Sequence, residues 1–488
     1  MGEVDAEEGF PFDLNPMYEG ERVRKANMYL ELGGQEKPGF ELVLFEPDAD
    51  KVKDGEVTLI GADLEEMTEG GSYAFAMIYT VYGEQIEKDL EAVIERRNHE
   101  YQSYIQGYMH LNQRGEIWVR ISKDAVKKGL KSLKQIGKAT IQLFKAELPF
   151  IEKMEATYIT DEAEVEKRLE EANKIYGARD LKTRGMHDED VDEFYQCTLC
   201  QSFAPTNVCV VTPDRIALCG AMGWFDARAA ARVDPEGPNA PIPKGDCIDP
   251  VGGEYTGVND AAVRLSGAEY NSIKLHSFLE KPHTSCGCFE VAGFYIPELD
   301  GIGWVHRGSK VADTPIGLSF SVIAGSVGGG KQVKGFLGIG IQYFYSSKFI
   351  QADGGWRRVV WMASDLKERV TEAIPEEMKD KIATEQDVND IESLREFLIR
   401  VDHPVVKGVI RAVDGVQVTG GWAAVEEAEA AAVMPAAVAE GGVMPVAAAG
   451  AEVTFAPMTV SGASSPIVIV LKDADVRIRK IILKKKGT

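Results

Sequence analysis

Seven cysteines constrain this chain more than any other feature. All fall between positions 197 and 288, at 197, 200, 209, 219, 247, 286 and 288, although the chain runs to 488 residues. Cysteines serving only as small core residues would be scattered through every segment, so the clustering predicts a loop-rich region that gathers thiols around a cofactor. A disulfide framework is not expected in a chain this long, with so few cysteines and no sign of export.

The first four cysteines read C-x2-C-x8-C-x9-C, in "YQCTLCQSFAPTNVCVVTPDRIALCG". An iron–sulfur cubane needs four thiolates converging from a flexible loop, with one close pair to start the cage, and fits this spacing best. A structural four-cysteine zinc site usually has two C-x2-C knuckles and here would have one. Uncoordinated core cysteines are the third reading. Cys286-Gly287-Cys288 asks for something else. Two thiolates one residue apart do not easily take two corners of a tetrahedron, but they can close a planar chelate with the backbone between them. The two thiolates and the deprotonated amides of Gly287 and Cys288 would form linked six-, five- and five-membered rings around one metal. Square-planar nitrogen and sulfur donation suits nickel(II) or copper(II). A central glycine removes the side chain that would crowd the flattened backbone. A redox pair or a chance Cys-x-Cys is the competing reading.

Charge narrows the partners. A net charge of −23 and a pI near 4.9 argue against a nucleic-acid binder, whose affinity would rest on basic contacts to phosphate. The acidic start "MGEVDAEEGFPFDLNP" lacks the progression of a signal peptide, and no apolar run approaches the ~18 residues of a membrane span. A cytoplasmic protein without a membrane span is expected.

The expected fold class is α+β (mixed α/β): two main α/β domains, the second loop-rich and carrying the cysteine site, then a flexible linker and a small C-terminal β element. In the first domain, 1–190, "GFELVLFE", "AFAMIYTVYG" and "EIWVRIS" read as strands. Ile86, Leu90, Val93 and Ile94 follow the spacing of one buried helix face. "DEAEVEKRLEEANKIYGARDLK" reads as an exposed helix. The second domain, 191–405, closes with a helix in "TEQDVNDIESLREFLIRVDHP", Pro404 lying past its end. An Ala-rich linker is expected over 406–457, and two short strands with a lysine cluster over 458–488.

"CTLCQSFAPTNVCVVTPDRIALCGAMGW", "TSCGCFE", "DTPIGLSFSVIAGSVGGGKQVKGFLGIG" and "ADGGWRRVVWM" together resemble the acetyl-CoA synthase family, most closely the archaeal decarbonylase/synthase beta subunits. The resemblance runs from about Phe10 to about residue 405. It implies a nickel–nickel–cubane A cluster, with Cys197, Cys200, Cys209 and Cys219 carrying the [4Fe-4S] part. Cys200 would also bridge to a proximal nickel. Cys286 and Cys288 would link that ion to a distal nickel completed by the Gly287 and Cys288 amides. Cys200, Cys286, Cys288 and Phe203, an aromatic expected beside the proximal nickel, are the implied catalytic set. Cys247 matches no ligand and is expected to be structural.

The same resemblance implies that a methyl group from a corrinoid iron–sulfur protein and CO from carbon monoxide dehydrogenase subunits join by a metal-acetyl intermediate. Coenzyme A then removes the product as acetyl-CoA, and the reverse cleaves it. The first domain would hold coenzyme A, with Arg96, Arg97, Arg114 and Arg120 as candidate phosphate contacts and Arg22 and Arg24 behind them. Bacterial relatives carry a tryptophan where this chain has Met109, so the resemblance does not carry aromatic packing on the coenzyme over to this chain. They also carry a further N-terminal domain that delivers CO, so another CO route is expected here. The linker and tail are expected to tether the chain within a larger complex. The rival to all of this is an iron–sulfur electron-transfer or scaffold subunit without nickel. "GSVGGGKQ" satisfies G-x4-G-K, with "LSFSVIA" before it read as a strand, but Gln332 stands where a phosphate-binding loop needs Ser or Thr.

Overall fold

A strand at a sheet edge must find partners for its outward backbone groups, and in this protein that need organises the first half of the fold. The computed structural model describes residues 10, 12–14, 23–34, 36–202, 204–309, 314–413 and 416–420, all within one of two units, Met1–Val433. Phe203, Arg22, the expected linker from 421 to 457 and the expected C-terminal strands over 458–488 lie outside the described residues.

The edge strand is Gly39–Phe45, paired in parallel with Phe75–Tyr82, which runs antiparallel to Lys153–Ile159 and so on to Val57–Ile60. Apolar side chains line both faces. Val43, Phe75, Met77, Tyr79 and Val81 enter one core, while Phe40, Leu42, Ala74 and Ala76 enter another. The helix Glu162–Asp180 covers the second face with Val165, Ala172 and Tyr176. Its sequence predicts an exposed helix; the charged residues do face solvent, but this apolar stripe and Arg179 are buried. Along the strand's open edge, the N–H groups of Glu41, Val43 and Phe45 donate to Arg114 O, Glu95 and Glu91 at 2.9, 3.0 and 2.9 Å. Arg179 donates to the Val43 carbonyl at 2.8 Å.

Glu91 and Glu95 belong to the helix Glu91–Gln102, which is buried on nearly every side. Ala92 and Val93 pack into the core of the second half of the chain, Ile94 and Tyr101 into that of the first. Ile86, expected on this helix, is buried from the turn before it, where its N–H closes onto Gly83 O at 3.0 Å. A second sheet, Ser72–Tyr73, Met28–Gly33, Trp118–Ser122 and Tyr108–Leu111, completes the first half.

The second half is built on the sheet Phe336–Ile339, Val291–Ile296, Gly301–His306 and Val359–Met362, with Trp304 and Trp361 fully buried. A smaller sheet, Cys209–Val211, Glu193–Cys197 and Pro241–Pro243, precedes it in sequence and carries two of the cysteines. The fold is therefore mixed α/β, as expected. The closing helix is Ile391–Arg400, and Pro404 opens a short further helix, Pro404–Lys407, at its first position.

Two sequence expectations are corrected. "LSFSVIA" is not a strand: Phe320–Val327 is a helix, burying Ile323 and Val327 one turn apart. A short apolar run carries no period that separates the two forms, and the tertiary contacts decide. Gly325 thus lies within a helix and the glycines at 328–330 follow it instead of joining a strand to one, and Gln332 donates to Ser272 O at 3.0 Å. That removes the architecture a phosphate-binding loop requires. The expected linker also starts too early, because Val409–Val413 and Val416–Gly420 pair antiparallel. Valine-rich runs on either side of Asp-Gly carry a hairpin signal that the Ala-rich composition further on masks.

Candidate metal centre

Strand pairing places the first thiols. Cys197 ends the strand Glu193–Cys197 and lies in register opposite Cys209. The 3-10 turn Leu199–Ser202 carries Cys200, and Cys219 sits in a turn closed by Ala217 N–H to Met222 O at 3.0 Å. That turn is tied to the first half by Gln113, which donates to Cys219 O, and by Arg114, which donates to Ala221 O at 2.9 Å. All four thiols are buried. Burial pushes the Cys197 thiol up to about 12, with Cys200 and Cys219 adding to it. Burial raises Cys209 as well, with Cys197, Cys219 and Cys200 as contributing neighbours. Four thiols that sense one another out of water are held at a cost that a cationic cluster offsets, since binding replaces their protons.

The Cys-Gly-Cys loop is fixed to this nest by the residues just before it. His283 Nε2 accepts from the Val210 N–H at 3.1 Å, while its Nδ1 lies 2.8 Å from Thr284 O. Burial pushes His283 down to about 3, so the ring is neutral and one nitrogen can accept while the other donates. Thr284 Oγ1 accepts from Val208 N–H at 2.8 Å. Beyond these anchors, the sulfurs of Cys200, Cys286 and Cys288 lie within 4.8 Å of one another. Gly287 has φ +116°, a conformation that L side chains rarely adopt. The glycine turn packs against it: Gly329 N–H donates to Cys286 O at 3.0 Å and Gly330 N–H to Ser285 O at 2.8 Å. A Cβ at Gly328 would stand 3.3 Å from Gly287 Cα. The Cys288 N–H points at Cys286 Sγ, 3.3 Å away, so an amide nitrogen and a thiol already face one another.

Electrostatics single out Cys200. Hydrogen bonds from the Cys286 and Cys288 thiols, and then the Arg96 guanidinium, hold Cys200 far below the usual thiol range, while the same contact drives Cys286 up. Cys200 belongs to both groups of thiols and is their common corner. Arg96 Nη2 donates to Cys200 Sγ at 3.2 Å, and the guanidinium also senses Cys219, Cys288 and Cys197. His99, one turn along the same helix, has Nε2 4.0 Å from Cys288 Sγ and Nδ1 3.0 Å from His110 Nδ1.

The other expected site residues are placed as follows. Arg97 bonds Tyr101 Oη at 2.7 Å and pairs with Glu100 at 3.3 Å. Arg114 pairs with Asp180 at 2.9 Å, and Arg120 with Glu31 at 2.7 Å. Arg24 is exposed, and Met109 is buried in the strand Tyr108–Leu111. Cys247, expected to be structural, is instead exposed on a two-stranded sheet, where no core needs a small apolar residue. A cavity of about 370 Å3 reaches Cys288 and is lined by Arg114, Arg307 and Arg369 together with Glu116 and Glu290. Sequence reasoning misses His99 and Arg307. No motif spacing links them to the cysteines, and only the fold brings them near.

The donor set fits a mixed cluster. Four buried, mutually sensing thiols suit a cubane. Two thiols flanking two adjacent backbone amides, with glycine between, suit a square-planar ion. The short sulfur triad lets Cys200 serve both.

Two family models match the chain. The model for the beta subunit of the CO dehydrogenase/acetyl-CoA synthase complex matches residues 10–165, and that for the C-terminal part of the ACS/CODH beta subunit matches 176–409. The "Acetyl-CoA decarbonylase/synthase complex subunit beta" of Archaeoglobus fulgidus is 65% identical over 87% of this chain and 81% of its own length. The "subunit beta 2" of Methanosarcina thermophila is 62% identical over 81% of this chain and 84% of its own. The "subunit beta 2" of Methanocaldococcus jannaschii is 54% identical over 82% and 84%.

Proposed function

This chain belongs to the acetyl-CoA decarbonylase/synthase beta-subunit family, and we propose that it forms or cleaves acetyl-CoA at a Ni-Ni-[4Fe-4S] cluster within such a complex. The convergence of the Cys200, Cys286 and Cys288 sulfurs within 4.8 Å supports this reading above all else. Cys197, Cys200, Cys209 and Cys219 would hold the cubane. Cys286, Gly287 and Cys288 would supply the thiolates and amide nitrogens for nickel. Bound there, the cluster supplies carbon–carbon and carbon–sulfur bond chemistry that no side chain in this site could perform.

The chain's own residues do the rest. Burial of five of the six proposed ligand cysteines excludes water from reactive sulfur and metal. Arg96 offsets thiolate charge at the corner where the two metal groups meet. The cavity ending at Cys288 is the approach for the coenzyme A thiol, and Arg114, alone of the four arginines expected for the coenzyme, lines it. Arg97 and Arg120 would have to leave Glu100 and Glu31 to meet phosphate. CO, a methyl-bearing corrinoid protein and carbon monoxide dehydrogenase subunits are the partners this chemistry requires. Among the described residues no helix is long and apolar enough to cross a membrane.

Metal analysis of the anaerobically purified full chain tests the proposal. About two nickel ions per four irons are expected. Iron and sulfide without nickel would mean an electron-transfer or scaffold subunit instead.

A further inference from the structure

Two peptide units in Cys286-Gly287-Cys288 carry chemistry that the thiols leave unexplained. The Gly287 nitrogen shares its peptide unit with the Cys286 oxygen, and the Cys288 nitrogen with the Gly287 oxygen. When such a nitrogen gives up its proton to bind a metal, resonance across the peptide bond moves negative charge onto the oxygen. A hydrogen-bond donor held at that oxygen therefore favours the anionic form, as donors do in an oxyanion hole.

Both oxygens are held. Cys286 O accepts from Gly329 N–H at 3.0 Å, and Gly287 O accepts from Arg307 Nη2. The remaining bonds of Arg307 go to the Phe289 carbonyl, at 3.4 Å from Nε and 3.3 Å from Nη2, and among the described residues no carboxylate pairs with it. Its guanidinium lies 5.3 Å over the Phe320 ring and 6.0 Å over the Phe289 ring. A cation resting beside two rings and aimed at neutral carbonyls is only partly compensated for the water it has lost. It becomes well compensated once a carbonyl carries negative charge. With two thiolates and two amide anions around a doubly charged ion, the donor set has charge to spare; Arg307 contacts its glycine member, while Arg96 bonds the neighbouring Cys200 sulfur.

We propose that Arg307, together with the Gly329 N–H, is a positioning device that polarises the two peptide units of Cys286-Gly287-Cys288 so that their nitrogens serve as anionic donors to a metal ion. Each amide passes its proton to solvent as its nitrogen–metal bond forms. No electrons are transferred, and the metal stays divalent. This inference rests on the nickel reading of the tripeptide, and it gives the glycine-rich turn a role, that of carrying a bare N–H close to Cys286.

The test uses the full chain with its iron–sulfur cluster intact, nickel(II) in competition with a chelator, and visible absorption of the nickel formed. Arg307→Met is expected to weaken nickel binding roughly ten- to a hundredfold, the range for outer partners of metal ligands. Its ligand-field bands should move, because the charge on the amide nitrogens changes, with iron content unchanged. Arg307→Lys, which keeps the charge and loses the planar fork, should fall between it and the parent. An Arg307→Met protein matching the parent in affinity and bands overturns the inference. So does weaker binding with unmoved bands, because a merely structural arginine would act that way. If Arg307→Met loses iron, Arg307→Lys decides by the same two readouts. A parent chain that takes up no nickel overturns the tripeptide reading itself, and this inference with it.

Discussion

Cys286→Ala is expected to remove nickel from the purified protein and leave iron and sulfide at parental levels. The thiol is fully enclosed, it belongs to the sulfur triad, and its removal takes one corner from the proposed chelate and one bridge from the proximal site. Loss of a direct ligand should exceed the ten- to hundredfold typical of outer partners, so acetyl transfer between coenzyme A and its acetyl ester should fall by more than about a hundredfold. Structural damage is a weak alternative. Removing one sulfur from the core costs on the order of 1 kcal/mol, and the four cubane thiols sit on other elements. Cys247→Ser is the matched control: that thiol is exposed and far from this role, and both metals and activity should stay at parental values. Full activity in Cys286→Ala would end the nickel assignment.

Arg179→Met should be the most damaging single change to stability. Arg179 is buried, donating to Glu95 at 3.0 Å, to Glu91 at 3.2 Å and to the Val43 carbonyl at 2.8 Å. Those two carboxylates in turn take the N–H groups of Val43 and Phe45 on the open edge of the sheet. Removing the cation leaves two acids in the interior facing each other's charge, at a cost of about 3–5 kcal/mol. The unfolding midpoint in urea should fall accordingly. The pH dependence has a definite sign. Burial already raises Glu95, and Arg179 is the largest influence opposing that rise, so the variant's Glu95 rises further. A carboxyl whose folded-state value lies above the unfolded one favours the folded state below its unfolded value and loses that contribution as pH climbs through the folded one. The deficit of Arg179→Met relative to the parent should therefore shrink between pH 7.5 and pH 5. A deficit that does not vary with pH would show that the lost packing, and not the stranded acids, sets the cost.

The two examples differ in how legible they are in the sequence. The cysteines announce themselves, because a thiol cluster with fixed spacing has few chemical uses. The Arg179 network does not. Arg179 lies in a segment of alternating charges that looks like a solvated helix, and its partners stand 84 and 88 residues earlier. Arg96 stands out in the sequence only as one of the arginines expected near the coenzyme, whereas the fold turns it onto a sulfur 104 residues away. The helix Phe320–Val327 reads as a strand because eight apolar and small residues satisfy either period, and only the neighbours of Ile323 and Val327 choose between them.

Local chemistry is written in the chain order: which residues can ligate, that a glycine must separate two of them, and which runs alternate as strands. These follow from covalent spacing and backbone geometry, which act over a few residues. Which cation faces which thiol, which carbonyls are held beside the Cys-Gly-Cys, and where a cavity reaches Cys288 were decided only when distant segments packed. Those outcomes depend on the summed burial of two cores meeting across the helix Glu91–Gln102, and no short window of sequence contains that sum.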